Sequence, residues 1–299
     1  MNTEFYAFGE ILWDCLPSGR HAGGAPFNVS AHLVQLGASA SLISAVGRDS
    51  LGDEILKVAE EKGVNTQFVT RARIGLATGT VLVTVDDNGN ATYGLVQPVA
   101  WDEIKVLPEA LEAVAQARGL SLACRSPYNL DQLNRLLAIE GPMKFFDVNL
   151  RPPFADPAPV IDLAQRVDVI KLNDDEVGKL ASWLKTGEAT LNTPRSPDAL
   201  AEACAALAKA TNTSRICVTR AAEGAALWEN GNLLCARAPQ VTVKDTVGAG
   251  DSFMVGHLTR GIDTQKVLEN ACRVGAFVAS HNGATPLLPP EITQEFKRV

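Results

Sequence analysis

Apolar and polar positions alternate along the chain in two rhythms. Short apolar runs at residues 5–11, 41–46, 120–124, 144–148, 168–172 and 216–219 predict strands. Longer stretches between them carry apolar residues at helical spacing. Residues 26–36 place Phe27, Ala31, Val34 and Leu36 on one side and stop at Gly37. Residues 51–61 stop at Gly63, a helix starts at Asp174, and residues 130–139, 199–210 and 267–280 read as further helices. Residues 186–197, rich in Thr, Pro and Gly, read as a surface loop.

The rhythm breaks at residues 79–85 and 91–96. Both are β-rich, and Asp86-Asp87-Asn88-Gly89-Asn90 joins them. Asn-Gly between two such runs is a strong hairpin signal. A hairpin has little place in a βα alternation, so it predicts a small β insertion able to cover the open face of the main sheet. Residues 225–228 and 233–236 flank Glu229-Asn230-Gly231-Asn232, a second hairpin. The alternation elsewhere argues for a largely parallel sheet with helices on both faces. In such sheets the ligand crevice lies beyond the carboxyl ends of the strands.

Composition narrows the function classes. A length of 299 residues fits one large α/β domain, or one with a small appendage. The net charge of −7 argues against a general nucleic-acid binder, which needs a basic face. The six cysteines, Cys15, Cys124, Cys204, Cys217, Cys235 and Cys272, are scattered without a CxxC pair, as reduced thiols in a cytosolic protein would be. No basic leader opens the sequence, and no apolar run approaches a membrane-spanning length. The expectation is a soluble, cytoplasmic protein without membrane or nucleic-acid partners.

Candidate chemistry concentrates in Asp245-Thr246-Val247-Gly248-Ala249-Gly250-Asp251-Ser252-Phe253. Gly248, Ala249 and Gly250 are small enough for a ligand to approach the backbone, and a helix starts near Asp251. Unpaired amides and the helix dipole at such a start make an anion site. A carboxylate beside it could accept the proton of an attacking hydroxyl. The spacing alone equally fits a tight turn with a capping Asp.

Residues 245–253 resemble the C-terminal signature of the ribokinase-like (PfkB) carbohydrate kinases. Gly23-Gly24-Ala25-Pro26-Phe27-Asn28-Val29-Ser30-Ala31, continuing through Leu36-Gly37-Ala38 to Val46-Gly47-Arg48-Asp49-Ser50-Leu51-Gly52-Asp53, resembles the N-terminal one. The resemblance covers nearly the whole chain. It implies an α/β, ribokinase-like three-layer sandwich: a mostly parallel central sheet flanked by helices, with a small β-sheet lid. Residues 1–299 would form a single kinase domain, the lid being built from about residues 11–22 and 72–100. A homodimer through that lid is an arrangement the resemblance allows.

The resemblance also implies roles. Asp251 would be the catalytic base, with Gly248, Ala249 and Gly250 as the anion hole and Arg151, in Asp147-Val148-Asn149-Leu150-Arg151, as a further donor. Asp14, Gly24, Asn28 and Asn149 would hold the sugar, with Gln97 and Tyr93 as contacts from the lid. Trp101 could pack on a sugar or serve as core. Asn173, Glu176, Thr219, Gly224 and Asn282 would hold ATP, Glu176 binding Mg²⁺ through water, unless Asn173 and Glu176 merely form a capping box. Asp245 and the carbonyl of Val247 would bind K⁺. Val218-Thr219-Arg220-Ala221-Ala222-Glu223-Gly224 departs from the family's nucleotide loop by having Ala221 for its first glycine. That is harmless at negative φ and costs about 1 kcal/mol at positive φ.

The fructokinase branch matches best, through Phe8-Gly9-Glu10-Ile11-Leu12-Trp13-Asp14 and Gly23-Gly24-Ala25-Pro26-Phe27-Asn28. The implied reaction is ATP plus D-fructose to ADP plus fructose 6-phosphate. Mannose, 2-keto-3-deoxygluconate or a nucleoside-like riboside remain open as acceptors, and so does a sugar-binding regulator without catalysis. A nicotinamide-dependent oxidoreductase is disfavoured, because no G-x-G-x-x-G follows the first strand.

Overall fold

A computed structural model describes residues 4–16, 19–85, 91–95, 97–123, 126–150, 156–186, 196–258 and 264–296. In chain order the strands are β1 (Phe5–Phe8), β2 (Leu12–Leu16), β3 (Gly19–Gly23), β4 (Ala40–Val46), β5 (Asn65–Arg71), β6 (Gly79–Val85), β7 (Ala91–Leu95), β8 (Gly119–Leu122), β9 (Met143–Asp147), β10 (Val169–Asn173), β11 (Arg215–Thr219), β12 (Ala225–Glu229) and β13 (Asn232–Ala236). The helices are α1 (Ala25–Gln35), α2 (Ser50–Glu61), α3 (Pro108–Ala115), α4 (Leu130–Leu137), α5 (Pro157–Ala164), α6 (Asp174–Leu184), α7 (Pro197–Thr211), α8 (Ala249–Leu258), α9 (Thr264–Ala279) and α10 (Pro290–Phe296).

The main sheet has nine strands in the order β13-β12-β11-β10-β9-β8-β1-β4-β5. From β11 to β5 every pairing is parallel, and the β12–β13 hairpin closes one edge antiparallel. Strands buried on both faces need apolar residues throughout. β4 is buried along its whole length, as is β1. One face packs on α3 to α7 through residues such as Val114, Leu136, Leu163, Leu180 and Leu207. The other packs on α1, α2, α8, α9 and α10 through Phe27, Ile55, Val255, Leu268 and Ile292. The result is the three-layer α/β sandwich.

The strand expected over residues 5–11 ends early. Gly9 takes φ +142, and a side chain there would stand 2.7 Å from Pro26. The chain turns at Gly9 and enters a second sheet, four-stranded, in the order β3-β2-β6-β7. Its strands fall within or one residue beyond the segments expected for the β insertion; the hairpin tip, residues 86–90, lies outside the described residues. The same holds for residues 187–195 of the expected surface loop.

Asp49 fastens this second sheet to the first. It caps α2 through the Gly52 N–H (2.8 Å) and accepts from the Thr78 N–H (2.8 Å) and hydroxyl (2.6 Å), just before β6. Burial raises its pKa, but these hydrogen bonds and the Arg71 charge outweigh that and hold it below the usual carboxylate value. Trp101 is core: a side chain at Gly79 would come within 2.7 Å of its indole.

Candidate active site

The first turn of α8 leaves two backbone donors open. Gly248 adopts φ +76, and a Cβ there would stand 2.6 Å from Ala284, so only glycine fits. The Ala249 N–H donates to the Thr246 carbonyl (3.3 Å) and the Ser252 N–H to that of Gly248 (2.9 Å). Among the described residues the N–H groups of Gly250 and Asp251 make no hydrogen bond, which leaves two donors at a helix N-terminus. Beside them Asp251, 8% exposed, accepts a 2.8 Å hydrogen bond from Asn28 Nδ2. Asn28 Oδ1 is buried without a partner among the described residues. A buried amide oxygen of that kind calls for a hydrogen-bond donor.

Asn28 lies in the first turn of α1, whose entry is built from two glycines. A Cβ at Gly24 (φ +103) would strike the Glu10 carbonyl oxygen at 2.5 Å, and one at Gly23 would strike Asp14 Oδ2 at 1.9 Å. The glycines thus make room for a buried carboxylate, Asp14, and let the chain fold back over Glu10. Glu10 Oε1 in turn accepts from the Ala25 N–H at 3.3 Å. Gln97 goes elsewhere: its amide donates to Asp102 at 3.0 Å, and it does not line the cleft. Nothing in the described side chains bears on Tyr93.

The ends of β9, β10 and β11 supply the middle of the site. Asp147 and Lys171 face each other across the parallel β9–β10 ladder, with Lys171 Nζ donating to both carboxylate oxygens at 3.0 and 2.8 Å. Burial raises the Asp147 pKa to about 6, against the pull of Lys171. Burial would lower that of Lys171, but the Asp147, Glu176 and Asp251 charges raise it, so the ammonium persists. Asn149 adopts φ +35, a left-handed conformation Asn tolerates, and lines the cleft. Arg151 lies outside the described residues.

Asn173 and Glu176 form the capping box that opens α6. Asn173 Oδ1 accepts from the Glu176 N–H (2.9 Å), and Glu176 Oε2 from the Asn173 N–H (2.8 Å). Glu176 Oε1 accepts from the Leu150 N–H at 2.7 Å. Each oxygen keeps a lone pair, and both residues line the cleft. Thr219 hydroxyl donates to the Leu172 carbonyl at 3.3 Å. Ala221 takes φ +45, so the substituted loop keeps a glycine-like backbone and bears the left-handed strain. Gly224 (φ +104) cannot be replaced without a clash with the Ala236 oxygen, 2.0 Å from a built Cβ.

Asp245 ties two loops together, accepting from the N–H of Val247 (2.9 Å) and of Gly283 (3.0 Å). Val247 and Asp245 both line the cleft, while Asn282 is exposed and does not. His281 beside it is held by the Phe277 carbonyl, 2.8 Å away. This side of the cleft is lined by Cys272, Gly275, Ala276 and Ala279 of α9.

A single cleft of about 1170 Å³ runs between these elements, with Glu10, Asp14, Val81, Gly224, Val241 and Ala279 among its lining residues. It holds Asp14, Gly24, Asn28, Asn149, Asn173, Glu176, Thr219, Gly224, Asp245, Val247 and Gly248 through Asp251. The lining residues left unassigned in the sequence include two charged ones deep in the cleft wall, Glu10 and Lys171. A lone Glu after a strand and a lone Lys within one carry no spacing signal. A model of the pfkB family carbohydrate kinases matches residues 11–289. The chain belongs to that family. It is 27% identical to the fructokinase of Escherichia coli, over 97% of each chain. The fructokinase of Vibrio cholerae O395, solved with fructose, ADP and calcium, superposes with a TM-score of 0.79 at 22% identity over 99% of both chains. The ribokinase of Arabidopsis thaliana, solved with ribose and ATP, gives 0.79 at 19% identity over the whole of both. A pfkB carbohydrate kinase is a phosphotransferase with a sugar hydroxyl as acceptor. No helix among the described residues is long and apolar enough to cross a membrane.

Proposed function

We propose that this sugar kinase transfers the γ-phosphoryl group of ATP to the primary hydroxyl of D-fructose, giving fructose 6-phosphate. The observation that carries the reading is the placement of Asp251. It is held by Asn28 on the glycine-lined side and stands beside the free N–H groups of α8 on the other. Asp251 takes the hydroxyl proton, the oxygen attacks the γ-phosphorus, and the bond to the bridging oxygen of ADP breaks. The Gly250 and Asp251 N–H groups take up the charge that develops on the phosphoryl oxygens.

Asp14, Gly24, Asn28 and Asn149 hold the sugar. Asn173, Thr219 and Gly224 flank the nucleotide, with Arg151 as a further donor to the phosphates. The lone pairs left on Glu176 suit a water-held Mg²⁺, which neutralises phosphate charge when bound. Those left on Asp245, with the Val247 carbonyl, suit K⁺. The four-stranded sheet serves as the lid of a single kinase domain and excludes water as it closes. Its outer face is where a homodimer would join.

Fructose is favoured over other acceptors by the fructokinase of Escherichia coli, 27% identical over 97% of each chain. An ADP-release screen over fructose, mannose, 2-keto-3-deoxygluconate, ribose and a nucleoside tests this. Fructose should give the highest kcat/KM, and a higher value for another acceptor would replace it.

A further inference from the structure

The signature residues around Asp251 do not account for one group. Lys171 is a buried ammonium that lines the cleft, while its partner Asp147 stands behind it. Their side chains are 9% and 5% exposed. An ammonium has three N–H donors, and Asp147 takes two of them.

Gly250 shows where Lys171 reaches. Unlike Gly248, it has no left-handed backbone to explain it. The nearest atom to a Cβ built at Gly250 is Lys171 Nζ, at 2.7 Å. The bare Cα of Gly250 is therefore what lets the ammonium lie against the first turn of α8. The other lysine of the cleft wall, Lys244, is exposed. Three carboxylates, Asp147, Glu176 and Asp251, act on Lys171. Without its charge they would oppose any phosphate entering the turn.

We propose that Lys171 is a catalytic residue: braced by Asp147 and admitted by Gly250, its ammonium gives its third N–H to the phosphoryl group in transfer. The inference rests on reading the cleft as a phosphoryl-transfer site, and it is independent of which sugar is the acceptor.

Three variants test it: Lys171→Met, Lys171→Arg, and Lys171→Met combined with Asp147→Asn. The single Met variant leaves Asp147 buried without its partner and loses melting temperature. The double variant removes that charge and regains it. Losing one preorganised donor should lower kcat about 100-fold in both, while Lys171→Arg recovers part of it. Calorimetry with ADP and with the non-hydrolysable analogue AMP-PNP gives a readout free of any acceptor. The double variant should weaken AMP-PNP about tenfold more than ADP, because only the analogue carries a third phosphate. Recovery of kcat together with melting temperature, or equal effects on the two nucleotides, would overturn the proposal by reducing Lys171 to a counter-ion for Asp147. Should the wild type phosphorylate no sugar, the nucleotide comparison still decides the role of Lys171, and only the sugar-kinase reading fails.

Discussion

The side-chain amide of Asn28 donates a 2.8 Å hydrogen bond to Asp251 across a sequence separation of 223 residues. It joins the two signature segments, so the proposed mechanism couples sugar placement to base placement. Asn28→Ala should lower kcat/KM about 10- to 100-fold, the worth of a hydrogen bond to a charged group. Asn28→Asp would set two carboxylates side by side and move the acid limb of the pH–rate profile upward by about one unit or more. A profile unchanged in Asn28→Asp would mean the contact is absent in the working enzyme.

Gly23 separates the two ends of the cleft. A methyl group there would stand 1.9 Å from Asp14 Oδ2, and the three atoms nearest to it all belong to Asp14. Gly23→Ala should raise the KM for sugar about tenfold or more with nucleotide affinity unchanged. Equal losses for both substrates would show that Asp14 does not serve the sugar alone.

His32 predicts a pH dependence of stability. It is fully buried in α1; Nε2 donates to the Ala284 carbonyl at 2.9 Å, and Nδ1 has no partner among the described residues. Burial lowers its pKa from 6.5 to about 4, outweighing the hydrogen bond and the Asp251 charge. The unfolded chain therefore binds this proton more readily than the native one. Stability from this group is full above pH 6.5 and declines as the pH falls towards 4, by roughly 3 kcal/mol in all. Urea titrations from pH 7 to 4.5 should show a steeper loss for the wild type than for His32→Gln. Parallel curves would remove His32 as the cause.

The sequence disclosed the parts of this site whose chemistry is contiguous. Residues 245–253 carry the turn, the open amides and Asp251 in one run, and the segment from Gly23 to Asn28 carries the partner that Asp251 accepts from. The parallel sheet was legible because most of its strands are short, largely apolar runs, whereas β5, of which only Phe68 is buried, was not. The early end of β1 was hidden because Gly9 breaks the strand by backbone conformation without breaking its apolar pattern. Lys171 was hidden for a different reason. A lysine in a strand reads as a solvated edge until its neighbour across the ladder, 24 residues away, is known to be Asp147. Asn282 and Gln97 were assigned by position within a segment, and neither lines the cleft: Asn282 is exposed and Gln97 donates to Asp102.

The central claim is that Asp251 is the base of a sugar kinase. The direct measurement is ADP release by Asp251→Asn beside the wild type, at saturating ATP and fructose, with the sugar-induced rise in melting temperature recorded for both. The account predicts a fall in kcat of about 10³-fold or more with the sugar-induced rise retained. Turnover near that of the wild type would contradict it.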